Sequence, residues 1–145
     1  MKTYMESLMT PEEVAFFRVI ERLMHEMPEV DLGLNHQGHK ISVSCHMVCH
    51  ALAQLFPQLE CQDGYFARKG IEHSWLTLNR DFIIDPYPVA IMGGPIMADC
   101  RYIGLPWQNL YIPSRERFPC LDAPNFPKHV EKITNVMQSV LQAAA

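Results

Sequence analysis

The chain has no long apolar run, no cluster of basic residues and no cysteine framework. No stretch approaches the roughly 20 apolar residues that a membrane-crossing helix needs, and Met1 to Glu6 carries no apolar segment of the kind that opens a secretory signal. A soluble protein of the cytoplasm, without a membrane partner, is the expectation; signal-independent secretion as an effector would leave no mark in these features. A formal charge of −4 without any lysine and arginine run speaks against nucleic acid as a partner, because phosphate binding needs a concentrated basic surface. The five cysteines, Cys45, Cys49, Cys61, Cys100 and Cys120, are odd in number and lack framework spacing, which fits reduced thiols better than a secreted disulfide scaffold. Hydrophobic side chains are not scarce. At 48% hydrophobic and 19% charged, residues 1–145 are expected to form a single domain with a core of its own and no sizeable disordered tail.

What is present divides by period. Thr10-Pro11-Glu12-Glu13 predicts a helix start, with Thr10 as N-cap, Pro11 in the first turn and Glu13 completing a capping box. Val14, Phe17, Ile20, Leu23 and Met24 carry the helical period until Pro28, and this helix is scaffold. Residues 29 to 43 read as a connector whose Asn35, His36, Gln37 and His39 could supply an oxyanion donor or a substrate contact. A second helix is predicted from Cys45 to Phe56, with Ser44 as N-cap and Val48, Cys49, Leu52, Leu55 and Phe56 as its buried stripe. Cys49 reads as a small buried hydrophobe, and His46 and His50 as a neighbouring, solvated face.

After Pro57 the period shortens to that of strands: Gln62 to Arg68, Ile71 to Leu78, and Phe82 to Asp85. Pairing Leu78 with Phe82 across Asn79-Arg80-Asp81 sets Trp75 opposite Asp85 and makes His73 and Asp85 diagonal neighbours on one face. A slip of one residue would separate them. From Pro86 to Pro127 lie eight of the eleven prolines, which predicts irregular coverage around Gly93-Gly94-Pro95 and Leu105-Pro106-Trp107, short strands near Ile96 and Leu110 to Ile112, and a wall or lid over a cleft. A last helix from Pro127 to about Ala143 closes the core. The fold class expected is α+β: a nucleophile helix on a small antiparallel sheet, flanked by N- and C-terminal helices.

Cys45 falls in the first turn of its helix, where unpaired N–H groups and the positive end of the dipole favour a thiolate. Acyl-transfer chemistry needs such a thiolate, an imidazole to pair with it, a group to hold the imidazole's tautomer, and donors for the oxyanion. His-Ser-Trp-Leu at a strand position, followed by Ile-Ile-Asp-Pro at a strand end, resembles the transglutaminase-like branch of the papain-like cysteine superfamily. There a helix-terminal cysteine precedes a strand histidine and a strand aspartate. The resemblance covers Cys45 to Asp85. It implies Cys45 as nucleophile, His73 as general base and acid, Asp85 as the group orienting His73, and the Cys45 N–H as part of the oxyanion hole. Gln37 resembles the glutamine upstream of the cysteine in papain-like enzymes, at a longer spacing than theirs. His46 stands where papains carry an aromatic residue, and an aspartate in third place matches the transglutaminase and arylamine acetyltransferase side. Trp75, on the histidine's face, would shield the pair from water or serve as core.

The expected activity is therefore thiol-dependent acyl transfer on an amide or thioester, of peptidase, amidase, deamidase or transglutaminase type. Its substrate would be a peptide, a protein or a small amide, and no cofactor or metal is assigned. Two other readings stay open. Cys45-His46-Cys49-His50 is dense in zinc-ligand types, but on a helix the cysteines share one face and the histidines another, so only a mixed site of Cys45 and Cys49 with His36 or His39 could close around an ion. The same run has one residue too many between its cysteines for haem attachment. The third reading is a binding module that keeps the fold without the chemistry.

Overall fold

The chain from Thr10 to Glu13 closes the capping box its residues announce: the Glu13 N–H donates to Thr10 Oγ1 at 3.2 Å, and the Thr10 N–H donates to Glu13 Oε1 at 2.7 Å. The computed structural model describes residues 2–3, 9–87, 94–100 and 110–143. In chain order its elements are β1 (Lys2–Thr3), α1 (Pro11–Glu26), α2 (Cys45–Leu55), β2 (Leu59–Phe66), β3 (Glu72–Leu78), β4 (Phe82–Asp85), β5 (Ile96–Asp99), β6 (Tyr111–Pro113), a short 3-10 helix (Pro119–Asp122) and α3 (Phe126–Ala143). The class is α+β, with N- and C-terminal helices flanking an essentially antiparallel sheet.

Strand order is β1-β5-β4-β3-β2-β6. Strands β2 to β5 form a meander, β6 returns to the free edge of β2, and β1 alone pairs in parallel, against β5. Alternation along the strands splits the buried side chains between the two faces. Leu76, Leu78, Phe82, Ile84 and Met97 join Phe17, Ile20, Leu52, Ile133 and Met137 in the main core. Trp75, Ile83, Ile96, Ala98, Phe66 and Tyr111 make a smaller core on the opposite face.

Pairing of Leu78 with Phe82 is found as the sequence predicts, followed by Thr77 with Ile83 and Leu76 with Ile84. The helix bounds also hold to within a residue or so, since Ser44, Pro57 and Pro127 are local signals. Strand β2 differs: it pairs from Leu59 onwards and stops at Phe66, where Ala67 takes φ 67° and turns the chain out of the ladder. Residues 88–93 and 101–109, where much of the expected wall or lid falls, including Gly93 and Leu105-Pro106-Trp107, lie outside the described residues. Short strands appear near Ile96 and Tyr111 as expected. No helix among the described residues is long and apolar enough to cross a membrane.

Candidate active site

Ser44 adopts an extended backbone and accepts from the Met47 N–H at 3.3 Å, capping α2 as its residue type prescribes. The N–H groups of Cys45 and His46 are left without intrahelical acceptors, so the half-buried Cys45 sits among free donors. These are the groups an oxyanion would meet.

His73 and Asp85 are brought together by the β3–β4 register. The His73 ring, 1% exposed, donates from Nε2 to Asp85 Oδ2 at 2.7 Å, and Asp85 is fully buried. Two further donors hold the carboxylate: the Tyr111 hydroxyl on Oδ2 at 2.8 Å and the Tyr87 N–H on Oδ1 at 3.2 Å. The last of these closes the turn that Pro86 begins, so Asp85 caps its turn and orients the histidine at once. Trp75 stacks along His73 at 6.3 Å between centroids and 25° between planes, and meets Tyr111 edge-on at 5.2 Å. That indole, 2% exposed, seals the ion pair from water while serving as core.

Burial alone would lower the His73 pKa, but the hydrogen bond to Asp85 and the interaction with the Cys45 thiol outweigh it and raise the imidazole to about 9. Cys45 is thus the ring's other polar neighbour. Yet His73 Nδ1 is buried and makes no hydrogen bond of ordinary geometry. Together these describe a sulfur beside the imidazole but not locked onto it, the loose pairing usual before substrate tightens a site.

The connector residues take other roles. Asn35 Oδ1 accepts from the N–H groups of Gln37 and His39 at 2.9 and 3.0 Å, so its side chain builds a turn. Gln37 is exposed on that turn, and neither side chain hydrogen-bonds to Cys45, His73 or Asp85. Asn35 Oδ1 is thus engaged in the turn rather than with the Cys45, His73 and Asp85 side chains. His36 and His39 are exposed, and the ligand-type groups that converge among the described residues do not join them to Cys45 or Cys49.

Cys49 is the buried small hydrophobe its position predicts: it is wholly buried, its thiol donates to the Ser74 carbonyl at 3.3 Å, and burial pushes its pKa well up. The expectation that His46 and His50 face solvent is overturned for His46, which is buried with Phe118 edge-on against its ring, and holds in part for His50, which is half-buried against Phe126 of α3. His46 Nδ1 bonds Ser74 Oγ at 2.5 Å, Ser74 Oγ donates to Asp63, and His50 Nε2 meets both Asp63 oxygens at 3.3 Å. Burial lowers the His46 pKa; at Asp63 burial would raise the carboxyl, but hydrogen bonds from His50 and Ser74 hold it below its usual value.

A cleft with room for about 460 Å³ opens where α2 starts, lined by Ser44, His46, Glu72, Cys120, Phe126 and His129 among others. Ser44 and Glu72 adjoin Cys45 and His73 in the chain, but Cys45, His73 and Asp85 are not among the residues that line this cleft. A second hollow of about 400 Å³ against α1 has neither cysteine nor histidine in its lining. Sequence reading missed Tyr111 as a partner of Asp85. Its signal was a tyrosine in an apolar strand, whose hydroxyl needs a buried acceptor. Comparison with models of known protein families, with curated proteins and with solved structures gives no match.

Proposed function

We propose that this protein is a cysteine-dependent acyl-transfer enzyme acting on an amide or thioester through Cys45, His73 and Asp85. The observation that carries the reading is one imidazole bonded to a buried carboxylate through Nε2, with its other nitrogen buried and unbonded beside a thiol at a helix start. With the Asp85 bond orienting the ring, the His73 imidazolium already carries a proton on Nδ1 beside a Cys45 thiolate, and that sulfur attacks the substrate carbonyl. The oxyanion that forms meets the Cys45 and His46 N–H groups. Collapse breaks the carbonyl–nitrogen or carbonyl–sulfur bond, and the proton on Nδ1 goes to the departing amine or thiol. The acyl group, now a thioester on Cys45, passes to water in a hydrolase or to an amine in a transferase; His73 accepts the proton of the incoming nucleophile and keeps it as Cys45 leaves as the thiolate. Substrates are amides or thioesters of peptide, protein or small-molecule type.

Trapping the acyl-enzyme tests this. Incubation with an activated acyl thioester, followed by peptide mass spectrometry, should place the acyl group on Cys45. Cys45→Ala should abolish the adduct, and His73→Ala should slow it by at least about 100-fold. Equal acylation of Cys45 and Cys120 in the native protein would overturn the proposal.

A further inference from the structure

The cleft at the start of α2 gathers three ligand-type groups from three separate elements. His46 comes from α2, Glu72 from the first position of β3 and Cys120 from the 3-10 helix, and their ligand atoms lie within 4.8 Å of one another. All three line the same cleft, which gives an ion a way in. No hydrogen bond joins any of the three to another, so they converge on a shared space without filling each other's needs.

The buried member is already oriented. His46 Nδ1 is held by Ser74 Oγ, which itself donates to Asp63, so Nε2 is the nitrogen left for a cation, and the residue lines the cleft. A ligating histidine whose second nitrogen is fixed by a polar partner is the usual outer arrangement of a metal site. The ring's edge-on contact with Phe118 at 6.0 Å restrains it further.

The other converging group behaves differently. His50, Cys61 and Asp63 also lie within 4.8 Å, but His50 and Cys61 both bond Asp63, at 3.3 and 3.9 Å, and so satisfy one another. Nothing there calls for an ion.

We propose that His46, Glu72 and Cys120 bind a divalent cation of zinc type, with one nitrogen, one oxygen and one sulfur ligand and the fourth position open to the cleft. Zinc holds such donors at roughly 2.0 to 2.3 Å, which spaces them roughly 3.3 to 3.8 Å apart, so a small inward swing of exposed Glu72 and Cys120 completes the set. On binding, the Cys120 thiol gives its proton to solvent, and its sulfur, the His46 nitrogen and a Glu72 carboxylate oxygen form the bonds to the ion.

Cobalt(II) is the probe, added to the metal-free full-length chain. A thiolate-to-cobalt charge-transfer band in the near ultraviolet should saturate at equimolar metal and disappear on adding zinc. Cys120→Ser should remove it and Glu72→Gln should weaken cobalt binding at least about tenfold, while Cys45→Ala and Cys61→Ser leave it in place. Cys120 and Glu72 are exposed, so these variants fold. A missing band, a band that survives Cys120→Ser, or one lost in Cys61→Ser overturns the site. If the cobalt band forms as described while Cys45 fails to acylate, the metal site stands and the enzyme reading falls.

Discussion

His73 touches five side chains that each leave a mark on it: Asp85 and Cys45 through its polarity, Trp75, Phe66 and Tyr111 through its ring. With a pKa near 9 the imidazole is cationic at neutral pH, which suits a partner that stabilises a thiolate and then acts as acid. Loss of that proton should bring acylation down along an alkaline limb near pH 9. Asp85→Asn removes the negative partner that raises the ring, so the limb should move to lower pH by at least about one unit, as a pH–rate profile would read. A limb left where it was would mean that another group titrates there. Tyr111→Phe deletes one donor from a fully buried carboxylate and should cost about 1 to 3 kcal/mol in urea unfolding, with a smaller fall in Cys45 acylation than Asp85→Asn gives.

At the level of elements, the middle of β2 matters more than its composition suggests. Gly64 pairs with His73 on one side and Pro113 on the other, and a Cβ there would overlap the Ile112 carbonyl and come within 2.7 Å of the Trp75 ring. Because the carbonyl is backbone, β6 would have to shift and carry Tyr111 away from Asp85. Gly64→Ala should therefore cost about 1 to 3 kcal/mol and lower Cys45 acylation together, as urea titration and adduct formation would show. An alanine variant of unchanged stability would refute this account of β6. Such elements also mark what was legible. The Cys45 cap and the His73–Asp85 register follow from neighbours a few residues apart, Ser44 in one case and the short loop between Leu78 and Phe82 in the other. The attachment of β6 to the far edge of β2, and with it the role of Tyr111, depends on a crossover that no local pattern encodes. His46 is buried and His50 half-buried because Phe118 and Phe126, both far along the chain, pack on the helix face that the period alone leaves to solvent. Asn35, two residues ahead of a backbone N–H it can accept from, was better read as turn chemistry than as a site group.

Across the whole molecule, two histidines set opposing slopes of stability with pH. His46, with its pKa lowered by burial, is neutral in the folded state where the unfolded chain is protonated, so stability should rise as pH climbs toward 6.5. His73, raised from 6.5 to about 9, contributes stability that is full below 6.5 and lost as pH rises through about 9. The urea midpoint should therefore peak near pH 6.5 and decline toward pH 9, and His73→Gln should flatten the alkaline side; a midpoint that holds level in the native protein would contradict the raised imidazole. The pairing of that imidazole with Cys45 is the claim on which the functional account turns, and alkylation of each cysteine across pH, read by peptide mass spectrometry on the native protein, tests it most directly. The account predicts that Cys45 alone reacts fast below pH 7 and that His73→Ala removes this reactivity. Were Cys45 to follow the same pH dependence as the exposed Cys120, with or without His73, no thiolate–imidazolium pair would exist and the enzyme reading would be wrong.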